Sequence, residues 1–587
     1  MRVALAGRQR GLALIAVVAL IALGGTWWLL SAVTPLNRTA LERSRNAAVL
    51  QQAKSTLIGW TVLQAIRTDE SNPGRLPCPE PVGNIGTVNE GVASGSCTLP
   101  AVGRLPWRTL GLDQLRDAAG EPLWYVVSPG WALPNSVTSS LGINSNSIGN
   151  LAVDGQANAA AALIIAPGRP IQLEPNANQV AQGCAVRNQA RTPSSPNPLD
   201  YLECQDVAGA SLRTSVVDNV SNPLFNDQVV TVSAAEVLAA IEAPVAARLQ
   251  RDIVPQIQTV YASSQWGASA ANPRFPFAAP YADPASSAFK GELDKPQGLM
   301  PLSAYSCSGV ASGRCDPNFV RWKTSPITLS FSGYDASSAP TYNCSASTTS
   351  EIRCDVTYSK TLCFSAVVAP CTVGGGTVTL TATAPNVGMT LRTIDTAAIS
   401  GVLSPSVSAP FITSGTDRSG VSANIQGQMP TATGCMMNLL VAGSYFCSGF
   451  IGMSATLTIR VPINLFADHP FLNPSAPAPG AADTAYWFLA NNWHHVTYYA
   501  LAPLHAAGGA GSCSGATCIT VNVQGESAWT NRRAVLGLAG RSLTGTVGSN
   551  RVLNDFLDTA ENRNGDTTFE QNRVGRSFND RFVPLSP

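Results

Sequence analysis

The 587-residue chain is short of charge: Asp, Glu, Lys and Arg make up 12 % of it, roughly half the usual share in soluble proteins. Neither sign dominates, with 37 Lys plus Arg against 36 Asp plus Glu and a net charge of +1. No cationic surface for nucleic acid can be built from that balance. Histidine is scarce, no CxxC occurs, and the four histidines at 469, 494, 495 and 505 do not interleave with the cysteines at zinc spacing. There is no G-x-S-x-G string. The nearest, Gly511-Ser512-Cys513-Ser514-Gly515, centres on a cysteine. These absences argue against a nucleic-acid binder, a zinc enzyme and a serine hydrolase. Disorder is disfavoured as well, because 45 % hydrophobic residues bury enough surface to offset chain ordering. So long a chain exceeds one core, and about two to four domains are expected.

What is present begins with fourteen cysteines in close sequential pairs: Cys78/Cys97, Cys184/Cys204, Cys307/Cys315, Cys344/Cys354, Cys363/Cys371, Cys435/Cys447 and Cys513/Cys518. Such pairs read as local disulfides made in an oxidising compartment, with the connectivity left open by sequence. At the N-terminus Arg2, Arg8 and Arg10 precede an uncharged apolar run from Leu12 to Val33. About 20 such residues suffice for a transmembrane helix. The arginines in front and the cysteines beyond put the N-terminus in the cytoplasm and the bulk outside. The run is longer than a secretory signal's apolar region and no A-x-A follows it. From Leu41 to Ile66 no proline intervenes, and Leu50, Ala53, Leu57 and Trp60 recur at helical spacing.

Arg8-Gln9-Arg10-Gly11 before Leu12-Ala13-Leu14-Ile15 resembles the leader of type IV pilins and type II secretion pseudopilins. The resemblance implies cleavage after Gly11 by a prepilin peptidase and an N-methylated Leu12. Such leaders usually place glutamate fifth in the mature chain; here it is Ala16, which suits a minor subunit at a filament tip. Gln52 to Trp60, Gly74-Arg75-Leu76-Pro77-Cys78-Pro79 and Gly103-Arg104-Leu105-Pro106-Trp107 resemble large pilin-like proteins, over roughly residues 1 to 230 and again near the C-terminus.

An internal repeat is legible. Trp124-Tyr125-Val126-Val127-Ser128 answers the strand-like stretch around Tyr499, and Ile165-Ala166-Pro167-Gly168-Arg169 answers Leu538-Ala539-Gly540-Arg541. Asp200-Tyr201-Leu202-Glu203 answers Asp555-Phe556-Leu557-Asp558, and Phe225-Asn226-Asp227 answers Phe578-Asn579-Asp580. The blocks hold one order, so two tandem modules are expected. Ala234 to Ser263 supplies a second helix with Pro244 and Pro255 expected to kink it, and Arg274-Phe275-Pro276-Phe277 echoes Arg75-Leu76-Pro77-Cys78. Between about 305 and 480 lie alternating, β-branched segments with four cysteine pairs, read as an inserted β-rich domain.

The expected fold is α+β: leader 1–11, transmembrane helix 12–33 continuing into a pilin-like spine, first module 34–232, second module opening at 233–304, insertion 305–480 and remainder of the second module 481–587. No enzyme site is expected. His494 and His495 adjoin a predicted strand and read as structural. Trp60, Trp107 and Trp124 read as core packing, and the two Phe-Asn-Asp strings as turns or caps rather than a carboxylate dyad. Asp558, Glu561, Asn562, Asn564 and Asp566 form the one oxygen-rich loop that invites calcium, although Gln571 stands where an EF-hand needs glutamate. Otherwise no cofactor is expected. The expected partners are the prepilin peptidase, other pilins or pseudopilins through the N-terminal helix, and the membrane, with no nucleic acid. The expected location is the bacterial inner membrane with periplasmic heads, then a pilus or pseudopilus, which reaches the cell surface in the first case. The rival expectation is an uncleaved, signal-anchored surface or periplasmic binding protein.

Overall fold

The computed structural model describes residues 9–132, 142–171, 189–203, 205, 211–214, 225–261, 274–281, 289–304, 328–332, 341–346, 351–363, 377–384, 393–400, 403–408, 421–428, 435–437, 445–447, 450–466, 469, 472–473, 486–506, 509–546 and 551–586. Side chains at 9–13, at 28–39 and across most of 328–462 are not among them. The chain divides into two compact units: Met1–Ala65, Asn72–Asn135 and Ser147–Ile241 in the first, Ile66–Ser71, Ser136–Asn146 and Glu242–Pro587 in the second.

The first unit opens with helix α1 (Gln9–Ile66). Its C-terminal half is amphipathic: Leu50, Ala53, Leu57, Thr61 and Ala65, three or four residues apart, are all buried. Lys54 fixes this half, donating from Nζ to the Thr231 carbonyl at 2.8 Å and pairing with Glu236 at 2.5 Å. The N-terminal half corrects the expectation of a transmembrane segment over 12–33. Among the described residues no helix is long and apolar enough to cross a membrane. The described side chains of the apolar stretch run from Leu14 to Trp27, about 21 Å of helix against about 30 Å of bilayer hydrocarbon.

A four-stranded antiparallel sheet follows, in the order β1 (Ala101–Arg104), β2 (Trp124–Val127), β5 (Ala162–Ala166), β7 (Gln228–Val232). The two central strands are buried throughout, which is why they read as unbroken apolar runs. A small second sheet has β3 (Leu151–Val153) between β4 (Gln156–Ala160), antiparallel to it, and β6 (Ser211–Leu212), parallel to it. Trp124, Leu163, Tyr201 and Leu212 share the core between them.

The second unit has the same plan. Its main sheet runs β8 (Gln297–Leu299), β19 (Thr497–Leu501), β22 (Ala534–Leu538), β24 (Arg581–Ser586), all antiparallel. Its small sheet has β20 (Ile519–Val523) antiparallel to β21 (Trp529–Arg532) and parallel to β23 (Thr568–Gln571). The hydrogen bonds around the sheets match too. Leu76 N to Trp131 O at 2.6 Å answers Phe275 N to His505 O at 2.9 Å, and Glu80 N to Arg104 O answers Ala279 N to Leu299 O, both at 3.0 Å. This register exposes a further repeat, Gly103-Arg104-Leu105-Pro106-Trp107 against Gly298-Leu299-Met300-Pro301-Leu302. A Cβ on either glycine would collide with the backbone oxygen of Glu80 or Ala279, so the close strand approach requires glycine at both places.

The helix between the modules is continuous through Pro244 from Ala234 to Arg248, widens to a π turn at Leu249–Ile253, and ends as Val254–Tyr261. The π turn falls just before Pro255, which has no N–H to give the preceding turn. Within the second unit, the described residues from Thr328 to Pro462 form ten antiparallel strands, β9 to β18. Cys354 is disulfide-bonded and faces Cys344 across one strand pair. Cys435 faces Cys447 across another. Disulfides join Cys78 to Cys97 and Cys513 to Cys518. Cys184, Cys204, Cys307, Cys315 and Cys371 lie outside the described residues, as does the side chain of Cys363.

Candidate functional site

In each unit the matching sequence blocks converge on one buried arginine. In the first, Arg191 donates from Nη1 to Gly168 O at 2.6 Å, from Nη2 to Pro167 O at 3.2 Å and from Nε to Asp200 O at 3.2 Å. Its guanidinium lies 5.0 Å from the centre of the Tyr201 ring. In the second, Arg551 donates from Nη2 to Gly540 O at 2.9 Å and from Nε to Asp555 O at 3.0 Å, 4.7 Å from the centre of the Phe556 ring. The Pro167, Gly168 and Gly540 carbonyls closely follow the third sheet strand, and a flat five-donor fork can tie them to the later Asp200 or Asp555 carbonyl as a lysine cannot.

Beside each arginine sits a carboxylate pair. Glu203 N donates to Asp227 Oδ2 at 3.1 Å, and Asp558 N donates to Asp580 Oδ2 at 2.8 Å. Asn226 and Asn579 donate from Nδ2 to the carbonyls of Arg169 and Arg541. Burial pushes Asp227 well above the ordinary carboxylate range, and the Glu203 charge adds to it; Glu203 itself is raised to about 7, also by burial. Asp580 is held high by burial and then by the Asp558 charge. Each pair therefore keeps a proton that two isolated carboxyls would release. The Phe-Asn-Asp strings make no turn of their own but run directly into β7 and β24, and their aspartates pair with Glu203 and Asp558 rather than with each other. Asp227, Glu203 and Asp580 are buried and Asp558 is half-buried, and the pairs hold loop to strand. The arginines escaped sequence reading because Arg191 precedes its Asp200 acceptor by 9 residues and Arg551 precedes Asp555 by 4.

The calcium candidates do not converge. Asp558 faces inward, accepting from Asn579 N at 2.7 Å, and Asn562 is buried against the Glu570 backbone. Glu561, Asn564 and Asp566 stay at the surface, where the Asn564 amide donates to both carboxylates. Among the described residues no group of three or more His, Cys, Asp and Glu could hold a metal ion. His494 and His495 occupy a 3-10 turn (Trp493–Val496) immediately before β19, both rings against Phe289, at 4.7 and 4.9 Å. Burial drives both toward the neutral form, His495 to about 4. Trp124 is core; Trp60 and Trp107 are half-buried under Arg75 and Arg108. Gly11 and Leu12 lie in the first turn of α1.

The other feature available for function is the first half of α1. Leu14, Ile15, Val17, Val18, Leu20, Ile21, Leu23 and Trp27 are all exposed, Leu20 at 69 % and Trp27 at 76 %. At 100° per residue these positions cover every face of the helix. Comparison of the chain with protein-family models, with curated proteins and with solved structures gives no match.

Proposed function

We propose that this chain is a non-enzymatic minor subunit of a type IV pilus-like or secretion pseudopilus-like filament, processed by a prepilin peptidase at Gly11/Leu12 and placed at or near the tip. The observation that carries the reading is the helix apolar on all faces at one end and packed on a sheet at the other. Exposed apolar surface of this extent calls for a cover, and a bundle of like helices from neighbouring subunits supplies one on every side. The Arg8-Gln9-Arg10-Gly11 leader resemblance gives the processing step. The disulfides Cys78–Cys97 and Cys513–Cys518 support an exported head. Two heads on a single helix make a bulky subunit, which fits low copy number better than a repeating shaft.

N-terminal mass spectrometry of the mature protein tests this, comparing wild type with Gly11→Val and with a peptidase deletion. A peptide beginning at methylated Leu12, lost in both comparisons, is expected. An intact N-terminus in all three would instead make the chain an uncleaved envelope binding protein.

A further inference from the structure

A cavity of about 10 Å³ in the first unit is lined by Glu80, Arg104, Trp107, Gln114, Leu105 and Leu123, among others. Glu80 and Arg104 are buried, at 2 % and 6 % exposure. Three polar atoms of its lining residues have no hydrogen-bond partner: Glu80 Oε2, Arg104 Nε and Trp107 Nε1. The other polar atoms of these side chains are engaged. Glu80 Oε1 accepts from Gly91 N at 2.8 Å, Arg104 Nη2 donates to Pro193 O at 3.2 Å, and Arg104 Nη1 lies 3.9 Å from Glu90. Buried polar groups left dry destabilise a fold, so three together call for a partner.

The second unit shows what the same place looks like without them. By strand register Glu80 answers Ala279, Arg104 answers Leu299, and Trp107 answers Leu302, all three apolar and buried. The polar trio is thus an addition to the shared plan, brought together by the loop that the Cys78–Cys97 disulfide closes.

We propose that this cavity is a binding site for one internal water molecule that joins the disulfide-closed loop to β1. Its size admits a single water, which needs about 10–15 Å³ and two to four polar partners. The partners demand a molecule that accepts from Arg104 Nε–H and Trp107 Nε1–H and donates to Glu80 Oε2. Water does both; ammonium only donates, and a halide only accepts and would meet the Glu80 charge. Burial raises the Glu80 carboxyl, while the Gly91 N–H and the Arg104 charge pull it back.

The test is a high-resolution crystal structure of the full chain at pH 7.5, with a second crystal grown in bromide. One density peak within hydrogen-bond distance of all three atoms, without bromide anomalous signal, is expected. In Trp107→Phe, which keeps a ring against Gly91 and removes one donor, the peak should weaken. In the triple variant Glu80→Ala, Arg104→Leu, Trp107→Leu, which copies the second unit, it should vanish. A bromide signal would replace the water with an anion site, and an unfilled cavity or direct pairing of the three side chains would overturn the proposal.

Discussion

Arg191 in the first unit and Arg551 in the second perform one task, bridging the turn carbonyls over an aromatic ring, yet their charges are answered differently. Arg191 has Glu121 at 3.4 Å and Glu203 at 4.0 Å. Arg551 has no carboxylate within 4.0 Å among the described residues, and burial lowers it to about 10 while Asp580, Asp555 and Asp558 act from further off. The same division recurs at β1 and β8, where Arg104 and Glu80 of the first unit hold the positions of Leu299 and Ala279 in the second. One backbone plan therefore tolerates two electrostatic solutions, provided that the carbonyls closing the turn keep their donors. The carbonyl bonds are the shared requirement and the ion pairs are local additions.

Removing the guanidinium breaks this comparison most severely. Arg191→Leu and Arg551→Leu each strand buried carbonyls, and Arg191→Leu also strands Glu203, so losses of about 3–5 kcal/mol are expected, larger at 191. Denaturant midpoints of the two variants, measured side by side, check the order.

The dyads give a smaller, pH-dependent effect. Glu203 rises from 4.5 to about 7 on folding, so the native state binds more protons than the unfolded state across that window. Stability must then fall as pH rises through it, by about 3 kcal/mol for one such group. Asp227 is raised further, so Asp227→Asn removes its share of the cost. That variant should be more stable than wild type at pH 8 by about 1–3 kcal/mol and unchanged near pH 3.5, with Asp580→Asn behaving likewise. The second unit alone contains histidine. His495, lowered to about 4, binds fewer protons folded than unfolded between there and its ordinary value of 6.5, so its contribution to stability grows with pH over that window. The slope below pH 6.5 should accordingly be steeper for the first unit, as pH-dependent hydrogen exchange resolved by unit would show.

The smallest effect belongs to Lys54→Met. Its partner Glu236 is half exposed, so the ion pair is worth about 1 kcal/mol or less, and a slight midpoint shift is expected.

Much of this plan was legible. Asp200 to Glu203 against Asp555 to Asp558, and Asp227 against Asp580, mark the repeat because short motifs held by backbone contacts keep their residues. The dyads were not, since the pairing distance changes from 24 residues for Glu203 and Asp227 to 22 for Asp558 and Asp580. The apolar N-terminus shows the opposite failing. Composition registers that Leu14 to Trp27 lacks charge but does not say what covers it, so the run was overextended into a membrane span. Gly103 and Gly298 were detectable from the shared Gly-x-x-Pro spacing and were overlooked.

The proposal rests most directly on what surrounds α1. Cysteines introduced singly at Val18 and Leu20 should crosslink α1 to a neighbouring subunit's helix in oxidised cells, at both positions, because these two exposed apolar residues lie on nearly opposite sides of the helix. Crosslinked species from both positions, lost with Gly11→Val, are the predicted result. Absence of crosslinks at either position in fully oxidised, correctly folded protein would contradict the account.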